Sequence, residues 1–149
     1  MVGKDTRIMK AQHKTFAEIV GDFSNKPSSQ NNKTGYSCLG FCAALYKALN
    51  KDWPEVWNGL TIDNYQETIK TRSPFAQETL LKLASDIGTE VNPNEVVAGD
   101  FVIVKTHTGE MFPAVCVGNG NIVSSFEYCG VKVMKLDKEK GTIFVARRL

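Results

Sequence analysis

No stretch of this sequence approaches the ~18 consecutive apolar residues that a bilayer-spanning helix needs. Its opening, Met1-Val-Gly-Lys-Asp-Thr-Arg-Ile8, lacks the apolar core of a secretory signal, which predicts a protein made in a cytoplasm. Charge of one sign is scarce too. The 18 basic and 16 acidic residues leave a formal net charge of +2, spread along the chain. So small and dispersed an excess argues against a nucleic-acid or membrane surface. Histidine is reduced to His13 and His107, and the four cysteines (Cys38, Cys42, Cys116 and Cys129) include no Cys-x-x-Cys pair. That spacing supplies no zinc cluster, so no metal or cofactor is expected. Without a secretory signal the thiols read as free, small and mostly buried hydrophobes. Internal repeats and low-complexity tracts are lacking as well.

What is present is one domain's length, 149 residues, with 42% hydrophobic and 23% charged side chains. Phe16, Ile19, Val20 and Phe23, with Ile8 before them, recur at helical spacing and predict an amphipathic helix from about Thr6 to Phe23. The polar run Ser24 to Gly35 reads as an exposed loop, long enough to suggest a function or a contact. A second helix is predicted from about Ser37 to Asn50, burying Cys38, Phe41, Cys42, Leu45 and Leu49 on one face, with Ser37 as its N-cap. Trp53, Pro54, Val56 and Trp57 read as packing beneath it. A third helix covers Phe75 to Ile87 and ends at Gly88.

The character changes at Val91-Asn-Pro-Asn94. Strands are predicted over Asp100 to Lys105, Pro113 to Val117, Asn121 to Phe126, Val131 to Met134 and Thr142 to Ala146, with a tight turn at Gly118-Asn119-Gly120. A helical part over about 1–90 followed by an antiparallel β-meander over about 97–149 predicts a single α+β domain. Arg147 and Arg148 read as solvated charges.

The segment Gly35-Tyr-Ser-Cys-Leu-Gly-Phe41 carries the candidate chemistry. A cysteine in the first turn of a helix sits where unpaired N–H groups and the helix dipole favour an anion, which lowers a thiol pKa and suits a nucleophile. Gly40 costs about 1 kcal/mol against alanine there, so a close approach of backbone or substrate is expected. Tyr36, Ser37 and Gly40 are the candidate substrate-binding residues beside Cys38.

The order of motifs resembles the NlpC-type cell-wall peptidases, a papain-like superfamily. Their Asp-Cys-Ser-Gly-Phe corresponds to Ser37-Cys38-Leu39-Gly40-Phe41, and their Gly-Asp-Leu to Gly99-Asp100-Phe101. Their His-Val-Gly-Ile-Tyr-x-Gly-Asn-Gly corresponds to Phe112-Pro113-Ala114-Val115-Cys116-Val117-Gly118-Asn119-Gly120. The likeness covers roughly Gly35 to Phe126, and is greatest to short forms among phage tail and virion genes. It implies a papain-like α+β fold with Cys38 as nucleophile, a base at Phe112 and an imidazole-orienting group near Ser124.

Phenylalanine takes no proton from a thiol, so the resemblance implies a degenerate site. The expected role is therefore a virion structural protein of a tail or neck, partnered by other virion proteins and made in the host cytoplasm. The alternative is an active peptidase or amidase cleaving peptidoglycan during phage entry. In it Cys38 attacks an amide and contributes its N–H to the oxyanion hole. His107, five residues before Phe112 in Lys105-Thr-His-Thr-Gly-Glu110, would serve as base through a loop folded back. A third reading is a small cytoplasmic domain for acyl transfer or peptide binding. Asp100 belongs to its Gly-Asp turn rather than to catalysis, and His13 reads as a surface residue between Lys10 and Lys14.

Overall fold

A computed structural model of the chain describes residues 14–27, 37–54, 56–57, 60–61, 74–126, 129–137 and 140–149. Helix α1 (Phe16–Phe23) opens on a capping box: the Thr15 hydroxyl accepts the Glu18 N–H, and the Glu18 carboxylate accepts the Thr15 N–H. Thr15 is itself extended, so this helix begins here rather than at Thr6; residues 6–13 lie outside the described residues. Helix α2 (Cys38–Ala48) is capped as its sequence predicts, by the Ser37 hydroxyl accepting the Gly40 N–H at 3.0 Å. It stops where Asn50 turns left-handed at φ 58°. Its burial exceeds one face. Leu39, Ala43 and Tyr46 are enclosed along with Phe41, Cys42 and Leu45, because α2 is the central helix of the core.

Strands β1 (Val56–Trp57) and β2 (Leu60–Thr61) form a small antiparallel pair. Helix α3 (Pro74–Asp86) follows and ends at Gly88, which has the left-handed φ of 55° expected of a terminating glycine. Six strands then build one antiparallel sheet: β3 (Thr89–Val91), β4 (Phe101–Lys105), β5 (Met111–Gly118), β6 (Asn121–Phe126), β7 (Gly130–Lys135) and β8 (Thr142–Arg148). Their order is β3-β8-β4-β5-β6-β7. Strands β4 to β7 are the expected meander. The last strand leaves it and returns beside β4, with β3 on its outer edge. The three residues of β3 are too few, and too exposed, to print an alternation on the sequence.

The two faces of the sheet carry separate cores. Toward the helices, Phe101, Ile103, Val115, Val123 and Val131 pack with Leu39, Phe41, Leu45, Leu80 and Leu83. On the other face Val102, Val104, Ala114, Cys116, Ile122 and Ala146 cluster, and Val91 and Met134 from the two edge strands pack against them. A sheet whose opposite edges reach one cluster is curled around it. Each fully buried valine, leucine, isoleucine or phenylalanine among them stabilises the fold by roughly 1.5–3 kcal/mol.

Polar clamps hold these layers in register. The Tyr46 hydroxyl donates to the Gly99 carbonyl at 2.9 Å, and its ring stacks on Trp53 at 5.7 Å. Trp53 in turn meets Phe101 edge-on, so it packs beneath α2 as expected. Asp100, 1% exposed, accepts two hydrogen bonds from Arg148 (2.8 and 2.9 Å) and one from the Val97 N–H. Those donors hold its carboxyl below the usual range despite its burial. Arg147 donates to the carbonyls of Ser85, Ile87 and Gly88, where the last turn of α3 leaves acceptors unpaired. The two arginines are thus structural ties, because β8 runs between α3 and the Gly99-Asp100 turn.

Candidate functional site

Cys38 is the first residue of α2 and is partly exposed. The backbone N–H groups of Cys38 and Leu39 pull its thiol pKa down, as a helix start should. Loss of solvation by the surrounding protein is larger and opposite, and pushes the thiol up to about 11. At neutral pH about one molecule in ten thousand would carry the thiolate. One turn later, Cys42 is buried and raised further by the same cause, with Cys38 adding to it. The helix start is present; its activating effect is overridden.

The sheet beneath α2 decides which side chains can meet that thiol. Along β5, Met111, Val115 and Val117 pack into the helix-side core, while Phe112, Ala114 and Cys116 belong to the inner cluster of the curled sheet. Strand alternation therefore points Phe112 away from α2, where its ring meets Phe126 edge-on at 5.9 Å. The position expected to hold the base is thus on the opposite face of the sheet from Cys38. Ser124 shares that opposite face with Ile122; it is fully buried and donates to the Pro113 carbonyl at 2.8 Å. Its hydroxyl serves strand β5 rather than a reacting group. The helix-facing neighbours are instead Pro113 and Ser125, one residue along from each expected position.

His107 is exposed at the tip of the β4–β5 hairpin. Far from a loop folded back, that turn closes on itself. The Thr106 N–H donates to Glu110, the Gly109 N–H to Thr106, and the Thr106 and Thr108 hydroxyls pair at 2.9 Å. Among the described residues no interaction joins His107 to Cys38. Tyr36 and His13 lie outside the described residues, as does the Trp57 side chain. Ser37 caps α2, and Gly40 is buried within its first turns. Among the described residues no three His, Cys, Asp or Glu side chains are placed to hold a metal, and no helix is long and apolar enough to cross a membrane.

No family model matches the chain, and a search of the curated proteins finds no match by sequence. Solved structures do match by shape. The NlpC/p60 domain of the peptidoglycan hydrolase SagA superposes with a TM-score of 0.57 at 16% identity, covering 90% of this chain and 96% of that one. An NlpC/p60 family protein from Bacillus cereus gives 0.55 at 18% identity; it covers 91% of this chain but only 40% of the longer protein. RipD from Mycobacterium tuberculosis, described as a non-catalytic NlpC/p60 domain protein adapted to peptidoglycan binding, gives 0.50 at 13% identity, covering 92% and 99%. The fold is therefore the α+β, papain-like fold of NlpC/p60 domains. This scaffold carries peptidoglycan hydrolases and at least one member without catalysis.

Proposed function

We propose that the chain is a catalytically silent NlpC/p60-type domain that works by binding, as a structural component of a phage tail or neck that meets the bacterial cell wall. The observation that carries this reading is the surrounding of Cys38. The helix-facing side of β5 offers Met111, Pro113 and Val115, and desolvation holds the thiol near 11. General-base assistance is worth roughly 10²–10⁴ in rate, and nothing described beside Cys38 supplies it. The printed description of RipD supports peptidoglycan as the surface bound. The virion setting rests on the resemblance of the sequence to short tail-gene forms.

Purified cell-wall sacculi test the reading. The native chain, Cys38→Ala and a His13→Ala/His107→Ala pair are incubated with sacculi; soluble muropeptides are read by mass spectrometry and bound protein by pelleting. The expected result is pelleting that Cys38→Ala leaves unchanged, with no muropeptide released by any form. Release that disappears in Cys38→Ala would overturn it. Particles assembled with Cys38→Ala are expected to contain the chain at native copy number, and its absence from native particles would refute the virion role.

A further inference from the structure

Where β8 passes β4 the register slips: Ile103 faces Val145, but Val104 faces Ile143. Phe144 is the extra residue of a β-bulge. Ile143 packs into the interior of the curled sheet and Val145 into the helix-side core. Phe144 is turned out between them, 48% exposed. Bulges re-aim a side chain in this way, and they concentrate next to functional sites.

The ring is also furnished with a charge. The Lys105 ammonium lies over it at 5.2 Å from the centroid. Lys105 continues the alternation of Phe101 and Ile103, so this pair stands on the face of the sheet that carries α2 and Cys38. A lone exposed phenylalanine needs no explanation. One expelled by a bulge and covered on one side by a cation presents a ring edge and remaining face for apolar C–H groups, next to a fixed positive charge for a carboxylate.

We propose that Phe144 and Lys105 form a docking platform for a peptidoglycan muropeptide, a sugar ring lying on Phe144 and a carboxylate of the stem peptide on Lys105. This rests on the binding role proposed above and assigns it to two residues away from the thiol. The test titrates the full chain, labelled with ¹⁵N, with a purified disaccharide–tetrapeptide muropeptide. Phe144→Ala and Lys105→Gln are compared with Val133→Ala, an exposed apolar control on β7, and circular dichroism checks each fold. Phe144→Ala is expected to weaken binding roughly tenfold, a loss of about 1.4 kcal/mol. Lys105→Gln is expected to weaken it about threefold and flatten its salt dependence, while Val133→Ala leaves it unchanged. Equal binding by the native chain and Phe144→Ala overturns the platform and leaves the binding role standing. Failure of the native chain to bind muropeptide or sacculi overturns both.

Discussion

Raising the pH on native protein in the presence of iodoacetamide perturbs the one group on which catalysis by this fold would depend. With the Cys38 thiol near 11, its thiolate fraction at pH 7 is about 300-fold below that of a free thiol near 8.5. The more basic thiolate is intrinsically more nucleophilic, and a Brønsted slope of ~0.4–0.5 over that difference returns about tenfold. The net expectation at pH 7 is alkylation roughly 20–30-fold slower than that of a free cysteine peptide. Cys129, exposed beside β7, is replaced in a Cys129→Ser background so that it does not consume reagent. Peptide mass spectrometry then reads Cys38 alone across pH 6–11. The rate should still be climbing at pH 10. Poor access would lower the whole curve without moving its inflection, which separates the two causes. A plateau below pH 8 would show an activated thiolate and refute the desolvation argument, and with it the silent reading of the site.

Three further outcomes follow from the packing. Asp100→Asn should cost about 2–3 kcal/mol at pH 7, because it weakens charge-assisted bonds to a buried carboxylate. The folded-state pKa of Asp100 is lowered, so its contribution is full above the unfolded value near 3.9 and is lost as pH falls through the folded value. Thermal melts of the two proteins should therefore converge in acid; a gap that persists unchanged at low pH refutes the assignment. Gly130→Ala should cost at least about 2 kcal/mol, read as a lower urea midpoint, since Gly130 has φ 71° and an added Cβ would collide with the Lys26 carbonyl. Trp53→Ala should cost about 3–5 kcal/mol by removing a ring packed on both Tyr46 and Phe101; a loss under 1 kcal/mol in urea denaturation would contradict that packing.

Local signals were legible in the sequence wherever one residue type answers one geometric need. Ser37 caps α2 and Gly88 ends α3, as their chemistry requires. The strand from Asn121 to Phe126 starts where the Gly118-Asn119-Gly120 turn predicts. Asp100 sits in its turn, holding the Val97 N–H. Pairings between distant segments left no such mark. Nothing near Arg147 or Arg148 announces that β8 will lie against α3 and Asp100, and three exposed residues do not advertise β3. The site failed to read for a sharper reason. Motif alignment places Phe112 and Ser124 at the expected positions, but a strand has period two, and the packed faces put those residues on the far side of the sheet. Clusters on both sides of β5 conceal this, since apolar residues at every position carry no parity.

Pro113 gives that parity a consequence for any attempt to rebuild a base. It sits within β5, opposite Ile103 of β4, while registered pairing with β6 begins at Val115↔Val123. A proline offers no N–H to a neighbouring strand, and its carbonyl is taken by the buried Ser124 hydroxyl. Histidine at Phe112 would place an imidazole in the apolar interior of the curled sheet, out of reach of the thiol. Histidine at Pro113 would face α2 and would add an N–H donor to the strand. Of the two positions only 113 presents its side chain to the α2 side, where an imidazolium could pull a thiol pKa down. A base engineered into β5 therefore belongs at position 113 rather than 112, and installing it means finding a partner for the strand N–H that the proline ring now removes.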